Sequence, residues 1–318
     1  MIPESRALKL GYLIPQFPGQ THIFFWREIL DLECLGVDPV LFSTRHPPAG
    51  LIAHSWSATA MARTTYLATP SPLRMLRMLS RLPWRELLIA IRKDGISTLK
   101  DVIMSIPAAD RLAHGCADRG ITHVHVHSCG RAALIAALAA RTHDLSYSLS
   151  LHGPLSDYGS AQGFKWRRAK FVSVITQHLL DGLPALIGAD LPDHLPIQPM
   201  GVDTDTLKPD GPYTPANPNE PLRLFSCARL NIVKGHQDLM KAVRLMIDAG
   251  QDIQLEIAGE DDAGGGGYHK VLDQLIIDLN LQGNVRLLGA IDGDAVATKL
   301  KAAHIFVLAS WHEPLGVA

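Results

Sequence analysis

The residues best suited to chemistry lie in one stretch, Phe225 to Lys241, which reads FSCARLNIVKGHQDLMK. Arg229 and Lys234 stand between a strand-like run and a helical pattern, and Gly235 follows the lysine directly. A loop between a strand and a helix presents free backbone N–H groups and the positive end of the helix dipole. With two added cations, this loop suits a dianion such as a nucleotide diphosphate. An ordinary loop with solvated charges is the alternative interpretation.

A histidine occupies a comparable place earlier in the chain. His152 follows the predicted strand Tyr147–Leu151 and precedes a Gly-Pro pair. In parallel sheets, ligands bind beyond the carboxyl ends of the strands. His152 is therefore a candidate for a role in a cleft, and a purely structural histidine is the alternative.

Three further histidines alternate along one predicted strand, ITHVHVH. His123, His125 and His127 share one face of that strand, because side chains alternate with a period of two. Imidazoles on one face can bind a transition metal. No carboxylate or cysteine stands nearby in sequence, so we predict no metal site.

The elements that position these residues follow a repeated pattern. The chain opens with a strand at Lys9–Pro15, a helix at Ile23–Leu35 and a strand at Val37–Ser43, which predicts a parallel sheet. A second strand–helix series starts at Leu222. The fold class is therefore α/β, with two doubly wound parallel-sheet domains. Gly19 lies at the carboxyl end of the first strand, where it serves a turn or leaves room for a substrate.

Length and composition agree with this organisation. The chain has 318 residues, about twice a usual domain length. A proline-rich segment at residues 192–221 is the predicted linker between a first domain at residues 1–191 and a second at residues 222–318.

Several classes of protein are disfavoured by composition. The formal net charge of −1 gives no global field for binding nucleic acid. The four cysteines are scattered without CxxC spacing, which fits reduced thiols in the cytoplasm. The N-terminus has no signal-peptide pattern, and no apolar run is long enough to span a membrane.

One basic and apolar segment has two interpretations, one of which is contact with a membrane surface. Residues 73–92 read LRMLRMLSRLPWRELLIAIR and mix arginines with large apolar side chains. A solvated helix face is one interpretation of this segment. Contact with anionic lipid headgroups or a lipid-linked acceptor, at the cytoplasmic face of the inner membrane, is the other.

Seven segments, in order along the chain, resemble family 4 glycosyltransferases of the GT-B fold, of the bacterial exopolysaccharide or colanic-acid type. They are YLIPQFPGQTHIFFWREI, SLHGPL, PMGVDTDTLKP, ARLNIVKGHQDLMKAV, IAGEDDAGGGGY, VRLLGAI and HEPLGVA. The resemblance implies two facing Rossmann-like domains. It also implies that a hexose moves from a nucleotide-sugar donor to a glycan or lipid-linked acceptor with retention of configuration, without a cofactor or an obligatory metal.

The resemblance also assigns roles to residues. It implies that Arg229 and Lys234 hold the donor diphosphate and that Glu313 bonds hydroxyls of the donor sugar. His152 matches the histidine beside that sugar. Gly19 matches a glycine of the loop near the phosphate and the acceptor.

Two further features concern the nucleobase and the end of the chain. The segment VRLLGAI matches the backbone that holds the nucleobase, so the resemblance makes Leu288 and Ile291 candidates for that site. The second glutamate of the family's E-x7-E motif would fall just past Ala318. We therefore predict a C-terminally truncated chain with an incomplete second domain. A non-catalytic relative that only binds nucleotide or a partner is the alternative, and a UDP-sugar epimerase of the same architecture is a third.

Overall fold

The computed structural model describes residues 8–47, 54–68, 72–261, 267–313, 315, 316 and 318. Contacts divide the chain into two compact units. One covers the described parts of residues 1–47 and 58–201, and the other those of residues 48–57 and 202–318. The division after Gly201 falls within the proline-rich segment.

The described part of the first unit alternates strands with helices. Its strands are β1 (Leu8–Gln16), β2 (Val37–Arg45), β3 (Thr65–Tyr66), β4 (His123–Val126), β5 (Ser146–Leu151) and β6 (Val172–Val174). Its helices are α1 (Ile23–Cys34), α2 (Ser57–Arg63), α3 (Pro72–Leu79), α4 (Trp84–Asp94), α5 (Ile96–Ala117), α6 (Arg131–Thr142), α7 (Gln162–Trp166) and α8 (Gln177–Ile187).

The six strands form one parallel sheet in the order β3-β2-β1-β4-β5-β6. The order reverses between β1 and β4, which creates a crevice at the carboxyl ends of these two strands. Consecutive residues 11–14 of β1 are buried, as expected for a strand covered on both faces. Residues 132–139 of α6 are all buried, because small side chains let this helix pack closely.

The second unit repeats the pattern on a smaller scale. Its strands are β7 (Leu222–Cys227), β8 (Ile253–Ala258), β9 (Val285–Gly289) and β10 (Ile305–Phe306). Its helices are α9 (His236–Asp248), α10 (Tyr268–Asp278) and α11 (Gly293–Ala302). The strands are parallel in the order β10-β7-β8-β9, so the order reverses between β7 and β10.

Each unit has its own hydrophobic core. In the first, apolar side chains of β1, β4 and β5 pack against α5 and α6, with Trp166 and Tyr147 among the largest buried side chains. In the second, Leu239, Met240 and Val243 of α9 pack on Leu255 and neighbouring residues of the sheet. These results confirm the α/β class with two parallel sheets that the strand and helix patterns predict.

Part of the predicted linker is built into the first unit. The carbonyls of His194 and Pro196 accept hydrogen bonds from the β6 amides of Val172 and Val174, and the Gln198 amide donates to the Val174 carbonyl. Residues 194–198 therefore run alongside β6. None of the helices in the described ranges is long and apolar enough to cross a bilayer.

Candidate functional site

The loop after β7 carries both predicted phosphate-binding cations. Arg229 is exposed, whereas the side chain of Lys234 is only 14% exposed. A short 3₁₀ turn at Ile232–Lys234 leads into Gly235, whose φ of +68° starts α9. The turn therefore sets Lys234 beside the positive end of the α9 dipole.

The segment after β10 closes over this loop. The Trp311 amide donates to the Val233 carbonyl at 2.9 Å, and the Trp311 indole donates to the Asp238 carboxylate at 2.9 Å. Gly235 lies so close that an added Cβ would stand 1.9 Å from the Ala309 carbonyl oxygen. Only glycine fits at this position.

This closure brings Lys234 to Glu313, which is 79 residues later in the chain. Lys234 Nζ donates to Glu313 Oε2 at 2.6 Å, and the Glu313 side chain is 27% exposed. The pair lies at the crevice where the strand order of the second unit reverses. A bound diphosphate can replace the carboxylate as the partner of Lys234, and Glu313 is then released for a neutral ligand group such as a hydroxyl.

The loop after β8 completes this edge of the sheet. An added Cβ at Gly259, where φ is +153°, would stand 1.8 Å from the Ala228 carbonyl oxygen. The Glu260 carbonyl accepts from the Leu230 amide at 2.9 Å, and its carboxylate accepts from the Ala290 amide at 3.1 Å. Residues 262–266 of the predicted glycine-rich loop lie outside the described residues.

The two nucleobase candidates lie next to this network. Leu288 is in β9 and Ile291 follows it, and both are half-buried. Glu260, Asp238 and Trp311 were missed by sequence reasoning as organisers of the site. Each belongs to a different loop or helix, so no local pattern joins them.

The remaining two predicted site residues, His152 and Gly19, lie in the first unit. Nε2 of His152 is 3.3 Å from Nδ1 of His127, and its ring packs against those of Phe24 and Phe25 in α1. Gly19 lies against His22: an added Cβ would stand 2.6 Å from the imidazole, and the His22 amide donates to the Gly19 carbonyl. The contact supports the turn interpretation of this glycine.

The alternating histidines do share one face, as predicted. Both nitrogens of His123 and of His125 lie 2.7–2.8 Å from serine hydroxyls of β5: Ser146 and Ser148 for the first, Ser148 and Ser150 for the second. The structure also brings Glu28 of α1 within 3.6 Å of His127 Nε2. The carboxylate that is missing near these histidines in sequence is therefore supplied by another element.

Burial sets the charges of this group. It lowers the pKa of His125 to about 3 and that of His152 to about 4, and it holds the pKa of His127 well below its ordinary value. Burial also raises the pKa of the Glu28 carboxyl to about 7. The three imidazoles are therefore neutral at neutral pH and offer lone pairs or N–H groups.

Comparison with known proteins adds three findings. Residues 214–318 match the family described as "Glycosyl transferases group 1". No curated protein sequence matches the chain. Solved structures with the same fold include a glycosyltransferase from Rickettsia africae, at 17% identity and a TM-score of 0.62 over 95% of this chain and 73% of that one.

Two further solved structures have the same fold. Sucrose-phosphate synthase from Thermosynechococcus elongatus is 17% identical, with a TM-score of 0.68 over 97% of this chain and 77% of that one. HepE from Anabaena, crystallised with UDP and glucose, is 14% identical, with a TM-score of 0.67 over 95% and 74%. The fold is therefore GT-B, and the described part of the chain forms two Rossmann-like sheets of six and four strands.

The close contact at Gly235 yields a prediction. Gly235→Ala should destabilise the second unit by at least about 2 kcal/mol more than Gly250→Ala, because the new methyl group would overlap the Ala309 carbonyl. Gly250 is the matched control: its φ is +89°, but nothing lies within 4 Å of an added Cβ. Its substitution should cost about 1 kcal/mol from backbone strain alone. Urea unfolding measures both losses, and equal losses would contradict the close contact.

Proposed function

We propose that the chain is a retaining glycosyltransferase of family 4 that acts in the synthesis of a bacterial cell-surface polysaccharide. It moves a hexose from a nucleotide sugar to a glycan or lipid-linked acceptor and needs no metal for the transfer itself. The observation that carries the proposal is the pairing of Lys234 with Glu313 at the crevice of the second unit. Both residues lie within the part matched by the glycosyl transferase family.

The reaction makes two demands that these residues meet. The bond between the anomeric carbon and the phosphate oxygen breaks, and its electron pair leaves with the nucleoside diphosphate. Arg229 and Lys234 stabilise that developing charge, each by about 3 kcal/mol if it acts like one preorganised donor. The acceptor oxygen then bonds to the anomeric carbon on the face the diphosphate leaves, and its proton passes to the departing phosphate.

The sugar itself is held by polar groups. Glu313, released from Lys234 by the diphosphate, accepts hydrogen bonds from sugar hydroxyls. We assign His152 to the donor sugar and Gly19 to the loop near phosphate and acceptor, as the family resemblance implies. Because burial keeps His152 neutral, it contributes a dipole and a hydrogen bond rather than a full charge.

Leu288 and Ile291 are assigned to the nucleobase. They flank Ala290, whose amide donates to the Glu260 carboxylate. Because HepE was crystallised with UDP and with UDP-glucose, UDP is the first nucleotide to test.

The first unit offers a surface for a membrane-linked acceptor. Large apolar side chains of α3, α4 and the start of α5 are exposed: Leu76, Trp84, Leu88, Ile89 and Ile96. Exposed cations lie among them at Arg81, Arg85, Arg92 and Lys93. The side chains of Arg74 and Arg77 lie outside the described residues. Apolar groups flanked by cations favour the anionic headgroup region, so we assign this surface to the cytoplasmic face of the inner membrane.

Nucleotide binding tests the assignment of the phosphate site. Calorimetric titration of the 318-residue chain with UDP, GDP and ADP should show binding of one nucleotide, weakened about 10- to 100-fold in Lys234→Ala by loss of a charge-assisted hydrogen bond. Lys241→Ala is the matched control, because this lysine lies in α9, just after the loop that carries Lys234, and its side chain is 60% exposed. A folded chain that binds none of the three, or equal loss in both variants, would overturn the assignment. Binding without transfer would favour the non-catalytic alternative.

The role of Glu313 has a separate signature. Glu313→Gln should weaken binding of UDP-glucose relative to UDP by about tenfold, because the carboxylate contacts the sugar and not the diphosphate. Binding of UDP alone should stay equal or strengthen, since Lys234 loses its competing partner. If affinities for both ligands change by the same factor, Glu313 only positions Lys234 and the sugar-binding role is wrong.

If α4 contacts the membrane, negative charge added to this helix should weaken binding to vesicles. The variant Leu88→Glu with Ile89→Glu should bind phosphatidylglycerol vesicles at least about tenfold more weakly in co-sedimentation, since two apolar side chains no longer insert. Leu186→Glu on α8, where the leucine is 62% exposed, is the matched control. Wild-type binding should also fall in high salt. Equal binding to phosphatidylcholine vesicles, or no effect of the double variant, would contradict the proposal.

A further inference from the structure

A second polar cluster lies in the first unit, between α1 and the strands β1 and β4. It consists of Tyr12, Glu28, His125 and His127. None of these residues has a part in the transfer proposed above. Three of them bring potential metal ligands together: one oxygen of Glu28 and one nitrogen each of His125 and His127 lie within 4.8 Å of one another.

One distance within the cluster is close to that between two ligands of one metal ion. His127 Nε2 and Glu28 Oε1 are 3.6 Å apart, near the edge of about 3.4 Å for a tetrahedron with zinc–ligand bonds of about 2.1 Å. His125 and His127 are two positions apart on one face, and their ring centroids are 4.6 Å apart. Because the three ligand atoms lie within 4.8 Å of one another, side-chain rotation can bring them to one ion.

An unsatisfied atom points into the same place. The His127 side chain is 2% exposed, and its Nε2 forms no hydrogen bond within the part of the chain that the structure describes. Buried polar atoms are nearly always paired, so this atom needs a partner such as a water or an ion. The Tyr12 hydroxyl is buried beside the Glu28 carboxyl.

The surroundings resemble those of a metal site. Metal-bound imidazoles usually bond a polar group through their second nitrogen. His127 does so through Nδ1, 3.3 Å from His152, and His125 has serine hydroxyls at both nitrogens. On binding, His125 exchanges one serine for the ion. The Glu28 side chain is 43% exposed, which gives the ion an entry path and a position for water.

We propose that Glu28, His125 and His127 form a binding site for a divalent transition metal, zinc in the first instance. Two imidazoles and one carboxylate suit zinc, whereas magnesium and calcium prefer oxygen ligands. This departs from the sequence-based expectation of no metal site, which rested on the lack of a carboxylate nearby in sequence.

A metal ion at this site also fixes which ring nitrogen of His127 carries the proton. A metal on His127 Nε2 leaves the proton on Nδ1, which donates to His152 Nε2. His152 then carries its own proton on Nδ1. The ion thus joins α1 to β4 and orients His152, and no step of the transfer passes through it.

Calorimetry of chelator-treated protein with zinc chloride tests the site. Wild-type chain should bind one equivalent, and Glu28→Gln and His127→Gln should each lower the affinity at least about 100-fold, since even residues behind metal ligands matter 10- to 100-fold. His123→Gln is the matched control, because His123 lies on the same strand and the same face and both of its ring nitrogens contact serine hydroxyls. Cobalt should give the ligand-field bands of a four-coordinate site in wild type and in His123→Gln only, and magnesium should not compete.

Two results would overturn the proposal. One is the absence of a stoichiometric site in folded wild-type protein. The other is zinc affinity that is unchanged in both Glu28→Gln and His127→Gln, which would place the ion elsewhere among the 15 histidines. If circular dichroism shows that His127→Gln does not fold, Glu28→Gln decides alone, because the partly exposed Glu28 side chain tolerates replacement.

Discussion

The packing of Gly235 against the Ala309 carbonyl is the constraint on which the second unit depends. Adjacent parallel strands β7 and β10 end at the same edge of the sheet, and the chain leaves both strands within van der Waals contact. Any side chain at Gly235 would separate the two loops. Their closeness is what holds the Lys234 ammonium against the Glu313 carboxylate.

The Lys234–Glu313 ion pair suits the proposed site, which binds a charged ligand. The Lys234 side chain is 14% exposed and the Glu313 side chain 27% exposed, and their opposite charges pair with each other. A diphosphate supplies a stronger partner for the lysine. The hydrogen bonds of Trp311 to Val233 and Asp238 hold the loop that carries Lys234 in place.

In the first unit, too, polar side chains lie at the point where the strand order reverses. Its crevice lies between β1 and β4, where the strand order reverses. Neutral histidines line it, because burial among Phe24, Phe25 and the sheet disfavours the imidazolium form. The serines of β5 satisfy His123 and His125, whereas His127 turns toward Glu28 and His152.

The sequence alone determined much of this protein. Apolar runs and helical spacing located β1, β2, β7, β8 and β9 and the helices between them, since these patterns repeat over a few residues and are read locally. They also placed Arg229 and Lys234 in a strand–helix loop and set the histidines of β4 on one face. The segment from residue 46 to 110 was harder, because its apolar and basic residues follow no period long enough to fix helix ends.

Only the tertiary structure decided which distant residues meet. Lys234 meets Glu313 because β10 inserts beside β7 rather than beside β9, and nothing within either loop specifies that order. Glu28 meets His127 because α1 packs over the crevice between β1 and β4. Strand order and helix placement arise from packing of the whole core, so a local pattern predicts the residues of a site but not their partners.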